Sequence, residues 1–155
     1  MARKGNGTSS YIRSTGTFTR PVAWTMQITY RSGFAPNGSA DRAIYSIGEA
    51  TDTFRAVLFW DQNGTTGPRL LVRDSVGSDL TLAPGGGATD TWYRYAITAS
   101  GPTVVVYRDG VQVDNSDLWS TPASVAVKAA VLAQYDGTTW FDRGTVAEVA
   151  LWNGG

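Results

Sequence analysis

Strict alternation of apolar and polar side chains is the feature that most limits the folds open to this chain. In residues 22–31, VAWTMQITYR, every second position carries an apolar or aromatic side chain, from Val22 to Tyr30. Because successive side chains of a β-strand point to opposite faces, a period of two predicts a strand with one buried face. Turn-forming residues separate further runs of this kind, which favours antiparallel sheets over helices.

The runs of strand type predict about eleven to twelve short strands. After the first, they lie at residues 42–48, 54–60, 69–74, 79–82, 91–98, 102–108, 111–114, 124–134, 139–142 and 145–152. Asp109-Gly110 predicts a two-residue hairpin, because a type I′ turn needs positive φ at both positions. No internal repeat marks a second unit. We therefore expect a single all-β domain, an antiparallel two-sheet sandwich, over residues 11–155, after a basic and polar arm over residues 1–10.

Cysteine and histidine are both absent, which excludes disulfide scaffolds, thiol nucleophiles, Cys/His zinc sites and triads with an imidazole base. A retaining glycoside hydrolase needs two carboxylates about 5–5.5 Å apart. Glu49 and Glu148 are the only glutamates, and neither has a carboxylate two positions away on its strand. The sequence therefore predicts a protein that binds rather than an enzyme, with no catalytic residues.

Charge and hydropathy limit the partners. Thirteen Lys and Arg balance thirteen Asp and Glu, so the net charge does not point to nucleic acid or a membrane surface. No run reaches the ~20 apolar residues of a membrane helix or has the form of a signal peptide, and we expect synthesis in a cytoplasm. Residues 1–40 carry five basic side chains and no acid. This asymmetry is typical of an interaction arm or, alternatively, of solvated strand faces, and Arg3, Lys4, Arg13 and Arg20 are the candidate partner-binding residues.

Four segments together resemble the laminin-G-like, concanavalin A-like jelly-roll domains. They are residues 22–30, the strand from Trp92 to Thr98, the hairpin with Tyr107, Asp109, Gly110 and Val113, and the last strand from Gly144 to Asn153. The resemblance implies a jelly-roll sandwich. These are core and turn positions, so they identify a scaffold rather than a site.

Eleven arginines against two lysines, with no signal peptide, resemble proteins of tailed bacteriophages, which carry jelly-roll domains on capsids and tails. That resemblance implies a non-enzymatic structural protein of the virion, either a capsid decoration protein or a tail-associated component. Its partners would be viral capsid or tail proteins and further copies of itself, with a trimer as one expected assembly.

The alternative is a carbohydrate-binding, lectin-like module for host-surface glycans. Trp60, Trp119 and Trp140 lie near predicted loops or strand ends, where aromatic rings are placed to stack on sugars. Trp24, Trp92 and Trp152 fall inside strands, and we expect them in the core. Subunit interfaces use the same aromatic residues, so the pattern does not separate a glycan from a protein partner.

No cofactor is expected, with calcium as the alternative. Seven aspartates fall in or beside predicted loops, and Ca²⁺ takes six to eight oxygen ligands from such positions. They are Asp41, Asp52, Asp61, Asp74, Asp79, Asp136 and Asp142. Aspartate is also a common turn residue, and no run has the spacing of a calcium-binding loop, so we predict no metal site.

Overall fold

The fold is a sandwich of two antiparallel sheets. The computed structural model describes residues 3–4, 11–19, 22–33, 41–49, 55–60, 67–73, 79–86, 88–117, 126–133 and 144–153. These residues form thirteen strands: β1 (Arg3–Lys4), β2 (Ile12–Arg13), β3 (Phe18–Thr19), β4 (Trp24–Arg31), β5 (Arg42–Gly48), β6 (Arg55–Trp60), β7 (Arg69–Arg73), β8 (Asp79–Leu82), β9 (Trp92–Ser100), β10 (Thr103–Arg108), β11 (Val111–Asp117), β12 (Ala126–Val131) and β13 (Thr145–Asn153). The predicted all-β, two-sheet architecture is confirmed.

Strand order defines the two layers. The first sheet runs β1-β13-β4-β9-β10-β11, and the second runs β2-β12-β5-β6-β7-β8, with β3 pairing to the first residues of β12. The three strands that were not predicted, β1 to β3, have two residues each and are too short to show alternation. The predicted strand at 139–142 lies outside the described residues. Asp109 and Gly110 have φ values of 53° and 83°, as the predicted type I′ hairpin requires.

The core lies between the sheets and follows the alternation of β4. Trp24, Met26, Ile28 and Tyr30 point inward and are at most 1% exposed. They pack against inward residues of the second sheet, among them Leu58. Burial of each such side chain stabilises the fold by roughly 1.5–3 kcal/mol.

Trp60 belongs to this core, which corrects its prediction as a glycan-stacking residue. Its side chain is 2% exposed, and its indole Nε1 donates a hydrogen bond to the Tyr30 hydroxyl at 3.0 Å. Trp60 ends the run 54–60, and its position beside a loop suggested exposure. It shares the inward face of β6 with Ala56 and Leu58, however, and the hydrogen bond satisfies the one polar atom that burial would otherwise leave unpaired.

The second sheet is buried on both faces at its centre. Ala43, Val57 and Phe59 form a separate apolar cluster with Leu71, on the side of the sheet that points away from the first sheet. Val57 is 0% and Phe59 7% exposed. The outward face of this sheet is therefore a packing surface at its centre.

Part of the predicted N-terminal arm is a strand. Arg3 and Lys4 form β1, which pairs antiparallel with Val146 and Thr145 of β13. Residues 5–10 lie outside the described residues, and the domain boundary at residue 10 stays a prediction. Within the described part of the chain, no helix has the length and apolar character needed to cross a membrane.

Candidate ligand-binding face

The outward face of the first sheet, called the outer face below, is the solvated side of the sandwich. It is formed by alternate residues of neighbouring strands, namely Thr25, Gln27, Thr29 and Arg31 of β4, Trp92, Arg94, Ala96 and Thr98 of β9, Val105 and Tyr107 of β10, and Glu148, Ala150 and Trp152 of β13. Most of these side chains are small or polar. Two are tryptophans, with 41% of Trp92 and 47% of Trp152 exposed.

Small residues at the centre of the outer face leave a depression of about 260 Å³, which is lined by Gln27, Arg94, Ala96, Tyr107 and Gly110. Ala96 lies between Gln27 and Tyr107 in register across β4, β9 and β10, so a methyl group separates two longer side chains. The positive φ of Gly110, 83°, comes from the tight hairpin, and this residue adds no side chain to the rim. The volume is slightly below the range of roughly 300–1,000 Å³ that is typical of small-molecule sites, so the depression suits one part of a larger ligand.

Arg94 is the cation of the depression, and Gln27 orients it. The Arg94 guanidinium donates from Nη2 to the Gln27 side-chain oxygen at 3.0 Å. Gln27 is only 6% exposed, although it points to the outer face. It is flanked in register by Ala150 and Ala96, and its buried amide holds the exposed guanidinium in place. The arrangement can present fixed N–H donors and a positive charge to a ligand.

The two tryptophans flank the depression at opposite ends of the outer face. Trp152 pairs with Thr25 and Trp92 with Arg31, so they are six residues apart along β4, or about 20 Å at the rise of a strand. The Arg31 guanidinium carbon lies 5.2 Å from the centre of the Trp92 ring, a cation–π contact that holds the indole. Along the strand direction the depression lies between the levels of the two rings, on the β9–β10 side of the line that joins them.

The prediction that Trp92 and Trp152 belong to the core is wrong, whereas Trp24 is a core residue as predicted. In β9 the inward residues are Tyr95, Ile97 and Ala99, so Trp92 has the outward parity of Arg94. In β13 a register shift after Val146 puts Trp152 on the outward face with Glu148. Alternation alone identifies Trp92 as outward. Trp152 needs the bulge as well, which the sequence does not reveal.

The other predicted site residues are not brought together in the described structure. Arg13 is exposed on β2, and Arg3 and Lys4 form β1 at the edge of the first sheet. Arg20, Trp119 and Trp140 lie outside the described residues, and their roles stay predictions. Among the residues that are described, no group of three acidic side chains could hold a metal ion.

Of the seven aspartates considered for the calcium alternative, only Asp41 and Asp79 are among the described residues. Asp79 accepts hydrogen bonds from Arg73, at 2.7 Å from Nε and 2.9 Å from Nη2, and lies 3.4 Å from Nη2 of Arg55. The hydrogen bond from Arg73, opposed by partial burial, lowers the pKa of the Asp79 carboxyl below its usual range. This carboxylate serves an ion pair on the second sheet.

Burial also shifts the pKa values of two phenols, and both lie inside the sandwich. Burial raises the pKa of Tyr45 and of Tyr95 well above the ordinary value for tyrosine. Tyr95 donates to the Gly85 carbonyl at 3.2 Å, and Tyr45 donates to the Ala150 carbonyl at 3.3 Å. Both hydroxyls are hydrogen-bonded in their neutral form and serve the fold.

Solved structures share the jelly-roll fold of this chain. Mouse laminin α1 domains LG4-5 superpose with a TM-score of 0.75 at 11% identity, over 99% of this chain and 42% of that one. Tailspike protein 2 of Escherichia coli O157:H7 bacteriophage CAB120 gives 0.69 at 15%, over 96% and 22%. The ligand-binding domain of botulinum neurotoxin serotype D in complex with N-acetylneuraminic acid gives 0.65 at 11%, over 99% and 42%.

The chain thus spans about two fifths of the laminin and neurotoxin structures. At these identities the likeness establishes the fold, and the predicted jelly-roll architecture is confirmed. No protein-family model and no curated protein matches the sequence.

Proposed function

We propose that this domain binds carbohydrate on the outer face of the first sheet and that it has no catalytic activity of its own. The observation that carries the proposal is the exposure of Trp92 and Trp152, 41% and 47%, on one sheet face with a polar depression between them. Tryptophan is enriched at binding surfaces, because its ring offers a large apolar face together with a polar N–H.

The chemistry of the outer face suits a sugar better than an apolar ligand. A pyranose ring has an apolar face that can stack on an indole and hydroxyl groups at its rim. The hydroxyl groups can pair with the guanidinium of Arg94 and with threonines such as Thr29 and Thr98. A neurotoxin domain of the same fold binds N-acetylneuraminic acid, which supports this class of ligand without locating the site in this chain.

The test is a glycan array followed by titration calorimetry on the best ligand. Trp92→Ala and Trp152→Ala should each weaken binding by about tenfold, since an aromatic contact contributes roughly 0.5–1.5 kcal/mol in addition to its buried area. Ala96→Phe should also weaken binding because its ring fills the depression. Ile12→Ala is the matched control, since Ile12 is 39% exposed on the second sheet.

Two results would count against the site. If the Trp92→Ala/Trp152→Ala double variant binds as tightly as the unaltered protein, the outer face is not the glycan site. If Trp119→Ala or Trp140→Ala abolishes binding instead, the function holds and the site is at the two tryptophans predicted from the sequence.

A second candidate function is structural: a component of a phage virion, as a capsid decoration or tail-associated protein. The arginine-rich composition and the likeness to a domain of a phage tailspike support it. On this proposal the virion displays the domain, self-association or a capsid or tail protein holds it there, and the outer face contacts host-surface glycans.

Light scattering at low and high salt tests the assembly. A discrete trimer or larger ring that weakens with salt supports the structural role, because contacts between exposed charges are screened beyond about 8–10 Å at physiological ionic strength. The double variant Arg3→Ser/Lys4→Ser should weaken such an assembly. It is preferred to a deletion, because a deletion would also remove β1 from the sheet. A monomer at both salt concentrations would argue against self-assembly.

A further inference from the structure

We propose that the glycan bound on the outer face is acidic and that its carboxylate binds the guanidinium of Arg94 in the depression. This inference rests on the proposed function and narrows it to one class of ligand, glycans that contain uronic or sialic acids. Three features of the described residues carry it: the partner that orients Arg94, the position of the nearest acids, and the space beside the guanidinium.

The partner of Arg94 is neutral. Its guanidinium donates to the amide oxygen of Gln27, so the bond that fixes its orientation leaves its positive charge uncancelled. Elsewhere on the chain the arginine Arg73 is oriented by a carboxylate, that of Asp79. A buried amide that orients an exposed guanidinium presents a positive fork to the solvent, which is the geometry that a carboxylate recognises.

Among the described residues, neither of the acidic side chains beside Arg94 in the register pairs with this guanidinium, whose side-chain hydrogen bond is to Gln27. The Asp109 carboxylate accepts the backbone N–H of Arg94 at 2.9 Å, so it is engaged at the end of the hairpin. Glu148 lies two strands away, across Thr29, or about 10 Å at the usual strand spacing. Arg31 is the diagonal neighbour of Arg94 on β4, at about 7–8 Å, and adds a second positive charge on the same side.

The depression provides room for the anionic group. Ala96, two positions after Arg94 and on the same face, contributes only a methyl group to the floor. Trp92, two positions before Arg94, offers an indole that Arg31 holds in place. A sugar stacked on Trp92 would therefore have its neighbour in the chain over Arg94, where a ring carboxylate can accept two N–H bonds.

The experiment uses an array of uronic-acid and sialic-acid oligomers beside the same glycans after their carboxyl groups have been reduced to alcohols. The full chain should bind the acidic members at least about tenfold more tightly, the factor expected for hydrogen bonds to a charged group. Arg94→Gln should remove this preference and its salt dependence. Arg94→Lys should retain part of it, because lysine keeps the charge and loses the fork.

Lys128→Gln is the matched control, because it removes the same unit charge from the second sheet. Thermal unfolding of each variant establishes that it is folded. Equal or tighter binding of the reduced glycans would overturn the acidic-ligand inference and leave the proposed function intact. Acidic binding that Arg94→Gln leaves unchanged would also overturn it. If the unaltered protein binds no glycan at all, the proposed function fails and the inference with it.

Discussion

The outward faces of the two sheets differ although both sheets contribute to one core. On the first sheet the outward residues of β4 and β9 include Gln27, Arg94 and the 41%-exposed Trp92. On the second sheet the outward residues Val57 and Phe59 are 0% and 7% exposed. The sequence encodes the difference, since β4 alternates and β6, RAVLFW, is a nearly continuous apolar run, as expected of a strand buried on both faces.

This contrast separates binding from packing. A ligand needs side chains that solvent reaches, and on the described strands the outer face of the first sheet combines exposed aromatic rings with a depression and a charge. At the centre of the second sheet's outward face, the apolar side chains are instead buried. Substitutions at exposed positions of the outer face can therefore change function at little cost in stability. Substitutions at the centre of the second sheet act on the fold instead.

The largest expected effect is a difference in the free energy of unfolding between two variants, each of which truncates one large side chain on one of the outward faces. Phe59→Ala should lower the free energy of unfolding by about 3–5 kcal/mol, as for other buried phenylalanines, because it leaves a cavity in a packed cluster. Trp152→Ala should change it by less than about 1 kcal/mol, because nearly half of that side chain is already in water. Urea denaturation of both variants measures the difference.

Similar losses in the two variants would break the comparison. Such a result would mean that Trp152 packs against a neighbour in solution, and its exposure could no longer be taken as a sign of a ligand site.

A smaller effect should appear at high pH in the core between the two faces. Burial raises the pKa of Tyr45 from the second sheet and of Tyr95 from the first. In the unfolded chain these phenols ionise near pH 10, so the unfolded state loses protons first. The stabilising contribution is complete below that pH and falls as the pH rises further.

Tyr45→Phe and Tyr95→Phe should each reduce the loss of stability between about pH 9 and 11.5. At neutral pH each should cost about 1 kcal/mol through the lost hydrogen bond to Ala150 or Gly85. Denaturation curves at several pH values give the slope for each variant. If only one substitution flattens it, then only that sheet's tyrosine is shielded from water.

The fold was largely predictable because its signals are local. Alternation identified β4, and the Asp109-Gly110 dipeptide fixed the β10–β11 hairpin. The candidate site was harder to predict, because proximity to a loop suggested that Trp60 is exposed and position within a strand suggested that Trp152 is buried. Burial depends on which face a residue takes and on what packs there, and a single bulge after Val146 determines this for Trp152.

Pairing between strands lies further beyond the sequence. The depression exists because Ala150, Gln27, Ala96 and Tyr107, from four segments of the chain, fall in one register row. Nothing in any one segment specifies that row, since register is set by the joint fit of apolar faces and turns. The interaction of Gln27 with Arg94, 67 positions apart, follows from it.

The smallest effect should come from acid, at the solvated margin of the second sheet. Arg73 and Arg55 lower the pKa of Asp79, so the contribution of this carboxylate to stability is present above its unfolded pKa and falls as the pH drops through its folded pKa. Because about a third of the Asp79 side chain is exposed, the contribution should be less than about 1 kcal/mol.

Asp79→Asn should therefore lower stability slightly at pH 7 and have little effect at pH 2, as measured by urea denaturation at the two pH values. A loss that persists at pH 2 would mean that Asp79 acts through packing, and the buried character of the second sheet's outward face would then extend to its edge strand.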